Sequence, residues 1–429
     1  MSRPVIGFAG MTHLGLVSGV AAAEKGFAVV CFDPDRDRVA SISGGSLPVS
    51  EPRLAELARK NAERIELTSG AAHLERCDVI FVAPDVPTDD AGTSDLRSLN
   101  TLLHIVLSAA RSDAVVVVLS QVPPGFTRTR QVGNRALYYQ VETLIFGRAV
   151  ERALLPERYI VGAADPAAPL PVPYAQLLAA YDCPILIMRY ESAELAKIAI
   201  NVCLVASLGA ANTLAELCEK IGADWSEIVP ALRLDRRIGP HAYLTPGLGI
   251  AGGNLERDLA TVCDLANRYG TDAGIVWAWI GNSGHRKDWA VETIKAALLD
   301  DHPDATIAVW GLAYKENTHS IKGSPSIHTI SMLPGTRLRI YDPMVPGSVT
   351  SRANAVQASD PLDALTGADA LMILTPWPMY REIAPAEIVK RMTGRIVLDP
   401  YGVFDAARAA AAGLDMFTLG RAPLRGERA

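Results

Sequence analysis

Short, uninterrupted apolar runs recur through the first third of the chain: Pro4–Ala9, Phe27–Phe32, Val79–Ala83 and Val115–Leu119. Runs of that length without polar alternation are the pattern of parallel strands covered on both faces. Between the first two, Leu14–Lys25 has helical spacing and stops at Gly26. Strands alternating with helices predict a doubly wound sheet. The middle of the chain changes character. Glu191–Ile221 is one long helical pattern with a single internal glycine, Gly209, and further helices are predicted over Trp225–Leu232, Glu256–Tyr269 and Trp277–Leu299. Strand-length runs resume at Thr306 and continue through Arg337–Tyr341, Ala370–Leu374 and Arg395–Leu398, which predicts a second α/β unit. No short-period repeat is present, yet the two ends echo each other: strand, turn, helix, strand, acidic residue. The tail beyond Leu419 is expected to fray.

The chain has 429 residues, of which 49% are hydrophobic and 21% charged, and its formal net charge is −6. This balance excludes wholesale disorder. A mildly acidic chain is a poor binder of polyanions, so nucleic acid is not expected as a partner. The uncharged stretch Ile198–Leu214 is shorter than a typical span and carries Asn201, Ser207, Asn212 and Thr213, so a buried helix is expected and no membrane partner. The N-terminus enters a strand pattern directly, without a signal-peptide layout. The six cysteines are scattered with no C-x-x-C pair, which argues against a disulfide scaffold and a cysteine zinc site. It suits a reducing compartment, and a cytoplasmic location is expected. The eight histidines form no H-x-x-x-H pair, so no metal is expected.

The first strand leads into Gly10-Met11-Thr12-His13-Leu14-Gly15. A dinucleotide turn wants glycine at the first, third and sixth places. Gly10 and Gly15 fill the outer two, and Thr12 takes the middle one, where its hydroxyl either bonds a phosphate oxygen or crowds the approach. Asp33 follows Gly10 by 23 residues and closes the second strand. An acid there accepts from ribose hydroxyls and repels a 2′-phosphate, favouring NAD over NADP, a preference tempered by nearby Arg36. The plainer alternative is a strand–turn–helix whose glycines serve packing alone. The fold class expected is α/β: two Rossmann-like doubly wound domains joined by a central helical domain with one long helix. The expected boundaries are 1–185, 186–300 and 301–429.

Further segments resemble one family in order along nearly the whole chain. They are Val86-Pro87-Thr88 with Asp95-Leu96, Ser120-Gln121-Val122-Pro123-Pro124-Gly125, and Glu142 and Leu144 with Gly147 and Ala149. Glu194-Leu195-Ala196-Lys197 with Asn201 follows, then Arg237-Ile238-Gly239 and Pro246 to Gly253. Gly311-Leu312-Ala313-Tyr314-Lys315, Ser324-Pro325-Ser326, Tyr341-Asp342-Pro343 and Thr375-Pro376-Trp377 complete the series. Together they resemble the UDP-glucose/GDP-mannose dehydrogenases, which oxidise nucleotide-sugar alcohols to acids with two NAD. The resemblance implies an N-terminal NAD domain, a long helix packed in a homodimer and a C-terminal domain for a nucleotide-sugar substrate. It places cofactor contacts at Gly10, Thr12, His13, Leu14, Gly15, Asp33, Pro87, Thr88, Ser120, Gln121 and Lys322. It places substrate contacts at Leu144, Gly147, Arg237, Gly249, Gly252, Gly253 and Lys315.

In that family a cysteine thiolate captures the aldehyde and carries it to a thioester. The cysteine stands in G-x-G-G-S-C-F-P-K-D. The run here is Gly249-Ile250-Ala251-Gly252-Gly253-Asn254-Leu255-Glu256-Arg257-Asp258, with Asn254 at the cysteine place and Asp258 at its usual spacing. Asparagine forms no thiohemiacetal. Cys263, nine residues on, reads as a small buried hydrophobe rather than a substitute. Lys197 and Asn201 lie four apart on one helix face and suit a developing oxyanion. Asp258 suits a base or the holder of a water, and Glu142 matches the family's acid at the sugar site. Asn254 has two readings, a site residue or a helix N-cap. Other departures are Gln121 for threonine, Gln140-Val141 before the glutamate, Lys322 for arginine and Tyr401 for an arginine near Asp399. His13, in the glycine turn, either approaches the pyrophosphate or faces solvent, the second, passive reading being preferred. Trp277, Trp279 and Trp289 are expected as core or interface aromatics.

The function expected is NAD-dependent oxidation of a UDP-hexose-type sugar at C6 without the thioester step, either stopping after two electrons, the preferred outcome, or going on by oxidation of the hydrated aldehyde without a covalent adduct. The alternative is a non-catalytic homologue that binds nucleotide sugar and NAD. A 6-phosphogluconate or 3-hydroxyacid dehydrogenase ranks lower, because it leaves the unit from Thr306 onward unexplained.

Overall fold

The computed structural model of the protein describes residues 3–89, 92–130, 132–133 and 135–427. The chain forms two compact units, Met1–Ile200 and Asn201–Ala429, and the long helix Tyr190–Ile221 runs from one into the other.

In the first unit an eight-stranded sheet contains β1 (Val5–Ala9), β2 (Ala28–Phe32), β3 (Ile65–Thr68), β4 (Val79–Val82), β5 (Val115–Val118), β6 (Leu137–Gln140), β7 (Tyr159–Ala163) and β8 (Ile185–Arg189). Their order is β3-β2-β1-β4-β5-β6-β7-β8. Pairing is parallel from β3 to β6, then antiparallel between β6 and β7, and parallel again from β7 to β8. The apolar runs VIFV and VVVV are buried throughout, as strands with both faces covered must be. The sequence pattern missed β3 and β8, whose residues are mostly half-buried or exposed, and also β6 and β7, which are mostly buried. The order reverses between β1 and β4, which is where doubly wound sheets bind ligands.

The second unit repeats the plan with β9 (Thr306–Trp310), β10 (Arg337–Tyr341), β11 (Ala355–Gln357), β12 (Ala370–Ile373), β13 (Ile396–Leu398) and β14 (Asp415–Phe417), in the order β11-β10-β9-β12-β13-β14. All of its pairs are parallel. Trp310, fully buried, stacks on Tyr380 and donates its indole N–H to the Pro361 carbonyl.

The long helix has 32 residues and extends beyond both ends of the uncharged stretch Ile198–Leu214 that it contains. By length and composition it is apolar enough to cross a bilayer. Its buried positions nevertheless belong to protein cores: Ala193 in the first unit, and Val205, Leu208, Ala211 and Ala215 in the second. Glu191, Glu194 and Lys197 charge one end, and Glu216, Glu219 and Lys220 the other. The last predicted helix ends sooner than expected, at Ile294, and passes into one π turn over Lys295–Leu299. The tail does not fray at Gly420–Glu427. Gly420 N–H donates to Glu219, Gly426 N–H donates to Asp415, and Leu424 pairs with Met416. Residues 428 and 429 lie outside the described residues.

A Cβ on Gly15 would lie 1.9 Å from the Gly10 carbonyl oxygen, with no flexible side chain to give way. Gly15→Ala is therefore expected to cost on the order of 1–3 kcal/mol of stability and to abolish cofactor binding, read by thermal denaturation with and without NAD.

Candidate functional site

The turn after β1 is held by a buried carboxylate. Gly10 N–H donates to the Phe32 carbonyl, and Asp33 Oδ2 accepts from Met11 N–H at 2.7 Å. Arg38, not the Arg36 expected from sequence, reaches Asp33 at 2.8 Å. Asp35 caps the helix Arg36–Ser43, which turns Arg38 back toward Asp33. A cleft of about 420 Å³ opens beside this turn, lined by Gly10, Thr12, Asp33, Arg38, Asp95 and Arg97 among others. Arg97 holds the Asp95 carboxyl down at about 2, so it is charged under all ordinary conditions. Acid at Asp33, Asp35 and Asp95 against two guanidiniums suits a ribose without a 2′-phosphate. A Cβ on Gly10 would meet the Pro84 nitrogen at 2.7 Å, so this glycine is required for the close approach of the two loops.

His13 is not solvent-facing. Its ring stacks on Phe146 at 4.3 Å, and Nε2 lies 3.1 Å from Glu51 Oε1. The Glu51 carboxylate, fully buried, also accepts from Gly147 N–H and Ala149 N–H. The turn is thereby fastened to the segment carrying Glu142 and Leu144. Glu142 Oε2 accepts from Leu144 N–H, and Oε1 pairs with Lys197 Nζ at 2.9 Å. Lys197 is mostly buried and is not a solvated surface lysine. Three residues before it, Glu194 accepts from Gly125 N–H and Thr127 N–H, which fixes the turn after Ser120 and Gln121 to the same helix. The Ser120 hydroxyl is spent inside the protein, on the Pro84 carbonyl. Thr88 pairs with Ser94, in the loop that follows Pro87.

In the second unit Asn201 Nδ2 donates to Asp258 Oδ2 at 2.5 Å, and Arg257 Nε lies 3.2 Å from Asp258 Oδ1. Asp258 is completely buried. The glycine loop is packed tightly: a Cβ on Gly249 would meet the Ser283 carbonyl, one on Gly252 the Tyr314 ring, and one on Gly253 the Lys322 chain. Gly252 N–H donates to the Lys322 carbonyl. The N-cap of the helix Asn254–Tyr269 is Gly253, with φ of 85°, so the N-cap reading of Asn254 is corrected. Asn254 is the first helical residue, exposed, and its side chain makes no hydrogen bond among the described residues. Cys263 is buried and its thiol is pushed up by burial, so it offers no thiolate. Arg237 forms a bidentate pair with Asp235 on an exposed turn, and Lys315 lies over the Tyr314 ring. Trp289 is core, Trp279 packs on Gly209, and Trp277 is exposed.

The second sheet reproduces the carboxylate device. Gly311 N–H donates to the Tyr341 carbonyl, and Asp342 Oδ2 accepts from Leu312 N–H, Ala313 N–H and the Trp377 indole. A Cβ on Gly311 would strike Thr375. Each unit thus carries a glycine turn at its point of strand reversal, the layout of two nucleotide sites.

Comparison with known proteins agrees with this layout. The NAD-binding domain of the UDP-glucose/GDP-mannose dehydrogenase family matches residues 5–175, its central domain residues 191–282 and its UDP-binding domain residues 308–406. The chain belongs to this family. A UDP-glucose 6-dehydrogenase of Bacillus subtilis is 28% identical over 433 residues, covering 97% of this chain and 93% of the relative. One from Pseudomonas aeruginosa is 29% identical, covering 96% of each. A UDP-glucose dehydrogenase from Pyrobaculum islandicum has a similar structure, with a TM-score of 0.83 at 26% identity over 95% of this chain and 96% of the other. A UDP-D-ManNAc dehydrogenase from Pyrococcus horikoshii, at 22% identity, a TM-score of 0.83 and coverage of 97% and 99%, attests the fold alone. The first unit of this family member is an NAD-binding domain.

Three carboxylates that fix loops escaped the sequence reading: Glu51, Glu194, and Asp85 in the loop after β4, which accepts from His13 N–H. Each acts on backbone N–H groups distant in the chain, which leaves no local pattern. Burial pushes the Glu194 carboxyl above its ordinary 4.5, and the Thr127 and Gly125 hydrogen bonds oppose that rise. A carboxyl raised in the folded state binds its proton more readily folded than unfolded. The stability it contributes is therefore greatest below 4.5 and declines as pH rises through the folded value. The wild type should gain melting temperature relative to Glu194→Gln as pH falls from about 7 toward 4.5; a difference that is flat or of opposite sign contradicts this.

Proposed function

We propose that this chain is an NAD-dependent nucleotide-sugar dehydrogenase that works without a covalent cysteine step and stops after two electrons. The coarse activity follows from the family and from relatives named UDP-glucose 6-dehydrogenases, so a UDP-hexose oxidised at C6 is the substrate read here. The observation that carries the finer reading is Asn254: an exposed amide at the first turn of its helix, in the place of the nucleophile, beside an intact Asn201–Asp258 pair.

The residues divide the work simply. The Lys197 ammonium stabilises the alkoxide that forms as the sugar hydroxyl loses its proton, and its bond to Glu142 fixes its position. Asn201 keeps a second amide N–H beyond the one given to Asp258, available to the same oxyanion. Asp258 orients that amide, and it or a water it holds receives the proton. Bound NAD supplies the hydride acceptor. The Asn254 amide neither adds to the aldehyde nor leaves from an acyl group, so the second oxidation has no thioester to pass through.

The paired Lys197–Glu142 and Asn201–Asp258 speak against the non-catalytic alternative, since a mere binding protein has no need of them. A second copy of the chain is the partner read here. Leu195, Ala199, Cys203, Ala210, Leu214, Leu217 and Ile221 leave an exposed, mostly apolar stripe at helical spacing down the long helix. Such a seam buries well against its own copy.

Products should be read by mass spectrometry after incubation with NAD and a panel of UDP- and GDP-hexoses. One NADH per sugar and an aldehyde are expected. Two NADH and a uronate would mean that the aldehyde hydrate is oxidised directly. Tight nucleotide-sugar binding with no NADH would establish the non-catalytic alternative. Asn254→Cys is expected to add acid product; an unchanged product would overturn the placement of Asn254. Lys197→Met should lower kcat by about 10²-fold or more while nucleotide-sugar binding persists, measured by turnover and calorimetry.

A further inference from the structure

The N–H groups that open the dinucleotide helix His13–Glu24 are taken by a carboxylate of the same chain. Asp85, in the loop after β4, accepts from His13 N–H through Oδ2 at 3.0 Å and from Leu14 N–H through Oδ1 at 3.4 Å. Its own N–H donates to Thr12 Oγ1 at 2.8 Å. Thr12 is the N-cap of that helix, yet its side chain makes no capping bond. The capping role has passed to a residue 72 positions away. The hydroxyl that clasps Asp85 exists only because threonine stands where the fingerprint has its middle glycine.

A dinucleotide pyrophosphate uses the same groups. It docks on the first N–H groups of this helix and on the positive end of its dipole. A carboxylate and a diphosphate have the same sign and cannot share two N–H groups. We propose that Asp85 is a built-in competitor for the cofactor pyrophosphate, which sets the affinity of the NAD site: NAD binds as the Asp85 side chain turns away. Asp85 is exposed, so its carboxylate can rotate into water, and the resistance it offers is that of its two N–H bonds and its charge. The inference rests on the assignment of the first unit as the NAD domain.

The competition is specific to phosphate-bearing ligands, and this separates it from a general loosening of the turn. Calorimetry on the full-length protein would compare NAD, ADP-ribose and adenosine across wild type, Asp85→Asn, Asp85→Gly and Asp85→Glu. Asp85→Asn and Asp85→Gly should bind NAD and ADP-ribose about tenfold more tightly, with adenosine unchanged and Asp85→Glu close to wild type. NAD binding by the wild type with no gain in either neutral variant overturns the proposal alone. Equal tightening for adenosine also overturns it. Failure of every protein to bind NAD or ADP-ribose overturns the cofactor assignment, and the proposal with it.

Discussion

Two buried carboxylates, Asp33 and Asp342, hold the architecture in a state able to take ligands. Each sits just beyond the second strand of its sheet and accepts backbone N–H groups from the glycine turn beside it. A buried carboxylate is costly unless its oxygens are satisfied, and here the turn supplies the donors. The bond therefore works in both directions: the turn stabilises the charge, and the charge fixes the turn. Gly10 and Gly311 can then lie against the loops after β4 and β12 at distances where any side chain would collide.

From these two points the remaining groups are placed by a chain of similar bonds. Glu51 ties the first turn, through His13, to the segment bearing Glu142. Glu142 in turn meets Lys197, and Glu194 on the same helix gathers the turn after β5. In the second unit Asp258 plays the equivalent part for Asn201. Much of the acidic complement near Lys197 and Asn201 is spent on backbone N–H groups and side-chain pairs.

The sequence was most legible where a pattern is local. The VVVV and VIFV strands, the long helix and the glycine turn all carry their signal within a few residues. The four-residue spacing of Lys197 and Asn201 and the run Gly252-Gly253-Asn254 were equally visible. What stayed hidden depends on partners far apart in the chain. Nothing around Glu51 announces that it will cap a loop 96 residues away. Arg36 and Arg38 differ little as sequence, and only the helix capped by Asp35 decides which faces Asp33. The N-cap reading of Asn254 failed because Gly253, free to adopt a positive φ, starts the helix one residue earlier.

The long helix has one more consequence. Lys197 lies in the first compact unit and Asn201 in the second, yet four residues of continuous helix separate them, a rise of about 6 Å. That interval is set by peptide geometry rather than by packing between the units. The helix serves as a ruler: along it the two residues keep their spacing and their phase around the axis. Loops elsewhere can gain or lose a residue and re-close. A single residue inserted between these two would turn Asn201 by about 100° around the helix axis and take it off the face that carries Lys197.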